Sequence, residues 1–179
     1  MSSAVDENFH HIRYLASDFA KIIPGTSVAE QRLNNELAGM FAVTIVATYE
    51  SIVKNALISY AASIHPKYRI YIEKDFDQIN ARISLDQLGG YSRKFGLQEW
   101  IGYGVKKNKT SFHKILEDYK AVVERRFRTK LTTNYENLIT WRNDYAHERT
   151  TSVTLNEVYE SHRVGQYVVR AFVKALETA

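Results

Sequence analysis

Residues 27–65 have the sequence SVAEQRLNNELAGMFAVTIVATYESIVKNALISYAASIH, and this segment indicates the fold class more strongly than any other. Ser27 and Glu30 have the spacing of a capping box, in which two side chains satisfy free backbone N–H groups at a helix start. The residues that follow recur at steps of three or four, the period of one helix face; they are Leu33, Leu37, Phe41, Ile45, Thr48, Ile52, Ala56 and Tyr60. The pattern predicts one long helix, about 55 Å in length if it is unbroken.

The segments on either side also have helical periodicity. A first helix is expected from about Val5 to Ile23, followed by a turn at residues 24–26, and a third helix within residues 67–87. Five glycines between Gly89 and Gly104 indicate a loop. A further helix is expected over residues 111–130, and two more capping boxes start the last two helices; they are Thr133 with Glu136 and Thr154 with Glu157.

The sequence therefore predicts an all-α, single-domain helical bundle spanning residues 1–179, with a long second helix. Its 45% hydrophobic and 25% charged residues are typical of a soluble globular chain. The absence of cysteine excludes disulfides and thiolate metal sites. Met1–Asn8 lacks the features of a signal peptide, and the apolar run 40–53 is interrupted by polar residues, so we expect a cytoplasmic protein without a membrane span.

The predicted penultimate helix carries an unusual group of polar residues in the segment YENLITWRNDYAH, residues 135–147. Asn143 and His147 are four residues apart, so they lie one above the other on the helix surface. The long side chain of Arg142 can reach the same groove. A guanidinium can hold two phosphate oxygens in a planar fork, and an imidazole can exchange a proton near neutral pH. The three residues are therefore candidates for phosphodiester chemistry.

This segment resembles the HEPN domain superfamily. Arg142-Asn143-Asp144-Tyr145-Ala146-His147 is similar to the family's Arg-polar-x3–5-His motif. About 0.02 Arg-Asn-x3-His matches are expected by chance in a chain of this composition. The arrangement of an early long helix, a late motif helix and one closing helix also resembles that of the larger RNase-toxin-like HEPN groups.

The resemblance implies a metal-independent endoribonuclease that leaves 2′,3′-cyclic phosphate and 5′-hydroxyl ends. In such an enzyme Arg142 would stabilise the scissile phosphate, His147 would transfer a proton, and Asn143 would position His147 or the RNA. The resemblance also implies a homodimer with a shared active site, a toxin–antitoxin or antiviral role, and control by an antitoxin or other regulatory protein. It implies no cofactor. The alternative is a non-catalytic HEPN domain that binds nucleotides or a protein partner.

Basic residues outside the motif are weaker candidates for RNA contact. Arg149 follows the motif, and two clusters contain Lys106 with Lys107 and Arg125 with Arg126. Such clusters can guide a polyanion or can be solvated surface, and the sequence leaves both interpretations open. Glu50 lies inside the apolar long helix as a possible partner for an active-site arginine, but a surface position is equally compatible with the sequence, so it is not assigned to the site. The remaining histidines lack metal-ligand spacing, and no metal site is predicted.

Overall fold

The computed structural model describes residues 2–22, 27–78, 83–97, 110–148 and 152–179, and every regular element in these ranges is a helix. The helices are α1 Ser2–Ile22, α2 Val28–Ile64, α3 Pro66–Gln78, α4 Leu85–Lys94, α5 Ser111–Phe127, α6 Leu131–Glu148 and α7 Leu155–Glu177. The prediction of an all-α bundle with a long second helix is confirmed. The expected turn at 24–26 lies outside the described residues.

Helix α2 extends without interruption over 37 residues. Its capping box is present, because Ser27 Oγ accepts the Glu30 backbone N–H and the Glu30 carboxylate accepts the Ser27 N–H. Phe41, Ile45 and Ile52 of the predicted apolar face are buried, whereas Leu33 near the helix start is exposed. The helix packs against α3, α6 and α7 and forms one wall of the core.

Helix α2 is also long and apolar enough to cross a membrane, with a mean hydropathy of 1.4 in its most apolar 18-residue window. The run 40–53 alone did not indicate a helix long enough to cross a membrane, because it covers only part of α2. Half of that window is buried inside the bundle. The core helix of a soluble protein can have the same length and composition.

Helix α7 forms the centre of the bundle and contacts α1, α2, α5 and α6. The stripe predicted for it is fully or almost fully buried; it consists of Val158, Gly165, Val168, Val169, Phe172 and Leu176. A capping box formed by Thr154 and Glu157 begins the helix, as predicted. Since apolar burial drives folding, this helix and α2 together supply most of the hydrophobic surface that holds the fold together.

The loop predicted from Gly89 onward is wrong in its first part, because α4 continues through Gly89 and Gly90 to Lys94. The helix is started by a capping box of Ser84 and Gln87 that we did not identify. Gly89 is buried, and a Cβ there would lie 3.0 Å from Cε1 of His113. The glycine therefore permits close packing of α4 on α5 rather than ending a helix. Residues 98–104 of the predicted loop lie outside the described residues.

Two predicted boundaries around α6 are also wrong. Helix α5 ends at Phe127, three residues early, because Arg128 adopts a left-handed conformation with φ of 55°. Helix α6 begins at Leu131, so Thr133 lies inside the helix and does not cap it. The backbone N–H of Leu131 instead donates to the Glu124 carboxylate of the preceding helix, at 2.8 Å.

Candidate active site at the motif helix

The buried face of α6 determines where the motif lies. Leu131, Tyr135 and Leu138 are buried toward the core. A Cβ on Gly165 of α7 would lie 3.1 Å from the Tyr135 Cα, so the glycine lets the two helix backbones approach closely. The later turns of α6 emerge from this contact. They carry the polar motif residues to the edge of the bundle beside α2.

Arg142 is held between two oxygen-bearing side chains. Its Nη1 donates to Asn143 Oδ1 at 3.0 Å, and its Nη2 lies 3.6 Å from Glu50 Oε1 on α2. Arg142 and Glu50 are about one-third and one-fifth exposed, so the pair is partly shielded from water. These contacts restrict the guanidinium and leave part of it accessible to a ligand.

Glu50 is the residue of this site that the sequence suggested but could not assign. Burial raises the pKa of its carboxyl above the usual value, and the nearby Arg142 guanidinium opposes part of that shift. Burial, and then the charge of Glu50, raise the pKa of Tyr135, whose hydroxyl donates to the backbone carbonyl of Ile83. The carboxyl of Glu50 therefore lies close to both the Arg142 guanidinium and the Tyr135 hydroxyl.

A cleft of about 280 Å³ opens beside these residues. Arg142, Asn143 and Glu50 form its polar side, and Ser84 and Gln87 at the start of α4 lie opposite. Val46, Ile83 and Ile139 line the rest. The Tyr135 hydroxyl donates to the backbone carbonyl of Ile83, the residue just before Ser84. Helix α6 therefore also positions the edge of the cleft at Ser84.

Tyr145 attaches the last turns of α6 to α2. Its hydroxyl donates to Glu36 Oε2 at 3.2 Å, and its ring covers Gly39 so closely that a Cβ there would lie 2.1 Å from Tyr145 Cδ2. The absence of a side chain at Gly39 therefore leaves the space into which the motif helix packs.

His147 remains exposed on the final turn of α6. Because α6 continues to Glu148, Asn143 and His147 lie one turn apart on the same face, as their spacing predicts. In the part of the chain that the structure describes, His147 forms no hydrogen bond or ion pair, and it does not line the cleft. The structure therefore brings Arg142, Asn143 and Glu50 together and places His147 beyond them toward solvent.

Of the other candidate RNA-contact residues, those that the structure describes do not line this cleft. Arg149, Lys106 and Lys107 lie outside the described residues. Arg125 and Arg126 are exposed in the last turn of α5, and Arg126 lines a different pocket between α1, α5 and α7. Within the described ranges, no three His, Asp or Glu side chains are arranged to share a metal ion.

Comparison with known proteins places the chain in a family. No curated protein and no solved structure matches it. A family model described as RiboL-PSP-HEPN matches residues 7–178. The match begins within α1 and covers α2 to α7 in full, including the motif and the Arg142–Glu50 pair. The chain therefore belongs to the RiboL-PSP-HEPN family of HEPN domains.

Proposed function

We propose that the protein is a metal-independent endoribonuclease whose catalytic residues are Arg142 and His147, with Asn143 in a supporting role. The observation that carries this proposal is the restrained guanidinium of Arg142 at the cleft edge, with His147 exposed on the following turn. A partly buried arginine held by an amide and a carboxylate is preorganised to receive phosphate oxygens. HEPN domains are often nucleases, and the complete Arg-Asn-x3-His motif is present here.

The proposed reaction is an internal transfer at the RNA phosphate. The ribose 2′-oxygen attacks phosphorus and forms the O2′–P bond, while the bond from phosphorus to the 5′-oxygen breaks. The imidazole of His147 accepts the 2′-hydroxyl proton or, when protonated, donates a proton to the leaving oxygen. Arg142 stabilises the charge that develops on the phosphate. The products are a 2′,3′-cyclic phosphate and a 5′-hydroxyl, and no water is consumed.

A homodimer would supply both proton-transfer groups at once. His147 of one copy would act as base and His147 of the second as acid, with the exposed ends of the two α6 helices facing each other. The exposure of Thr140, Asp144 and His147 supports this arrangement, because these positions are available to a second copy. Light scattering should give twice the 20.7 kDa mass of one chain. A monomeric mass under assay conditions would contradict the shared site.

The direct test is cleavage of total RNA by purified protein in excess EDTA. Arg142→Ala and His147→Ala should each lower the cleavage rate by at least about a hundredfold, while the exposed control variants Arg69→Ala and His11→Ala should retain the wild-type rate. End analysis should find cyclic phosphate. Equal cutting by all variants, or loss of cutting in EDTA, would contradict the proposal.

We further propose a role in toxin–antitoxin or antiviral defence, with RNA as substrate and an antitoxin as regulator. Growth arrest on expression of the protein, abolished by His147→Ala, tests this role.

A non-catalytic binding domain is the second candidate function. The observation that favours it is the exposure of His147, which no contact in the described part of the chain holds near Arg142. A binding domain would retain RNA or nucleotide affinity through Arg142 and produce no cyclic-phosphate ends. Filter binding of RNA by the wild-type protein, with unchanged RNA length over hours, would support this candidate against the nuclease.

A further inference from the structure

A second cavity, larger than the motif cleft, lies apart from it. It has a volume of about 570 Å³ and lies between α1, α5 and α7. No residue lines both this pocket and the cleft at Arg142. Its volume falls within the roughly 300–1,000 Å³ typical of small-molecule sites. We call it the arginine pocket, because four arginines line it; they are Arg13, Arg126, Arg163 and Arg170.

Two of these arginines are held in place by carboxylates. Arg163 Nη1 donates to both carboxylate oxygens of Glu160, at 2.7 and 2.9 Å. Arg170 Nη2 lies 2.7 Å from Asp6 Oδ1, and its guanidinium lies 4.8 Å from the Phe9 ring centre. These two cations are therefore oriented before any ligand arrives, and their charges are largely balanced.

The other two arginines carry charge that the described residues do not balance. Arg13 on α1 and Arg126 on α5 are exposed, and neither has a carboxylate within ion-pair distance in the ranges that the structure describes. They approach the pocket from two different helices, with Arg163 and Arg170 on a third. The pocket thus has a net positive charge and guanidinium groups on three sides, which suits an anion with several oxygens.

Aromatic rings form another part of the pocket wall. Phe127, Tyr159 and Tyr167 line it and are each only partly buried, so part of each ring is accessible to a ligand. Arg126 and Arg163 each lie 5.4 Å from the Phe127 ring centre, which places this ring beside two cations. Flat rings next to guanidinium groups are the combination that binds a base together with its phosphate. A bare anion would not use the rings.

We propose that the arginine pocket binds a nucleotide, with its phosphate at Arg13 and Arg126 and its base against the rings of Tyr159 and Phe127. The same chemistry is presented by a free mononucleotide and by one nucleotide of an RNA strand. This site is separate from the proposed catalytic centre, and it does not require the chain to cleave RNA. His162 also lines the pocket, but its imidazole shares a buried 2.9 Å hydrogen bond with the Tyr49 hydroxyl. We therefore assign it to the core and not to the proposed ligand contacts.

Isothermal titration with adenosine 5′-monophosphate at low ionic strength tests the proposal, with adenosine and inorganic phosphate as partial ligands. The nucleotide should bind more tightly than either part. Arg13→Gln and Arg126→Gln should each weaken binding about tenfold, the effect of losing a charge-assisted hydrogen bond. Arg69→Gln is the matched control, because Arg69 is exposed on α3 and pairs only with Glu73 among the described residues. Circular dichroism checks that all variants are folded.

A 2′-O-methyl RNA hexamer, which lacks the attacking hydroxyl, distinguishes the two sources of the nucleotide. Binding of the monophosphate that depends on Arg13 and Arg126 indicates a free nucleotide as ligand. Binding of the hexamer alone, with the same dependence, indicates an RNA strand. Equal affinity for phosphate and nucleotide would overturn the proposal, as would saturable binding that Arg13→Gln/Arg126→Gln leaves unchanged. Failure of every ligand to bind would also overturn it.

Discussion

Glu50 is expected to position Arg142, and Glu50→Gln separates this role from a role in stability. The 3.6 Å ion pair has a gross Coulomb energy of about 4 to 5 kcal/mol at an effective dielectric constant of about 20. Both side chains keep some solvent contact, so the net value falls to about 1 kcal/mol. Loss of that positioning energy in the transition state corresponds to about a fivefold lower cleavage rate. The assay is single-turnover cleavage of a labelled RNA.

The same substitution should not destabilise the fold. The folded-state pKa of Glu50 is raised above its ordinary value of 4.5, because burial favours the neutral carboxyl more strongly than the Arg142 guanidinium favours the charged one. Above pH 4.5 the folded carboxylate therefore costs stability, and below that pH the cost disappears because the group is protonated in both states. A neutral glutamine should leave the free energy of unfolding at neutral pH equal or higher. Urea denaturation at neutral and acidic pH measures this difference.

A double-mutant cycle completes the test. If Glu50 acts through Arg142, then Glu50→Gln should slow the proposed cleavage by the wild-type protein but should have no further effect in Arg142→Ala. Glu73→Gln is the matched control, since Glu73 pairs with Arg69 on α3 away from the cleft. A fivefold loss that persists in the Arg142→Ala background, or an equal loss in Glu73→Gln, would refute the reasoning. A clear fall in unfolding free energy in Glu50→Gln would also do so.

Four further predictions concern stability and are measured by urea or thermal denaturation. Gly39→Ala should cost about 1–3 kcal/mol, because its Cβ would overlap the Tyr145 ring; Gly90→Ala, whose Cβ would meet nothing closer than 4.0 Å, should instead stabilise α4 by about 0.5–1 kcal/mol. His162 is buried with its pKa lowered from 6.5 to about 3, so stability is fully present above pH 6.5. It should fall as pH drops toward 3, with a slope approaching about 1.4 kcal/mol per pH unit, and His162→Asn should flatten that slope. Thr154→Ala should cost about 1 kcal/mol by removing the cap of α7, and an unchanged midpoint would contradict that assignment.

The parts of the fold that follow from local chemistry could be predicted from the sequence. The cap at Ser27 and the three-to-four residue period identified α2, since both depend on neighbours within one helix. The errors arose where distant residues decide the outcome. Gly89 was expected to end a helix, but the ring of His113 on another helix occupies the space beside it. The left-handed Arg128 has no glycine or proline signal in the sequence, so the end of α5 could not be located.

The candidate site also has parts that depend on neighbouring residues, which were predictable, and parts that depend on distant residues, which were not. Asn143 and His147 are four residues apart in one short motif, so their common helix face was predictable, with Arg142 next to it. The contact of Glu50 with Arg142 depends on how α2 and α6 cross, and that crossing depends in part on Gly39 beneath Tyr145. The arginine pocket was less predictable than the motif, because its four arginines lie on three separate helices and share no single spacing along the chain. Only the packing of α1, α5 and α7 brings them together.

The packing of the core between the motif cleft and the arginine pocket indicates that the two sites act independently. Tyr49 stacks on Tyr135 with ring centres 6.0 Å apart, and its hydroxyl contacts His162 on the wall of the arginine pocket. The next residue, Glu50, lines the motif cleft. Two consecutive residues of α2 therefore connect to the two sites, Tyr49 through His162 and Glu50 directly. Coupling between sites requires an element with two arrangements that both ligands bias. Tyr49 and Tyr135 are completely buried and hydrogen-bonded, which commits them to one arrangement. Occupancy of the arginine pocket should therefore leave the Arg142–Glu50 pair in place.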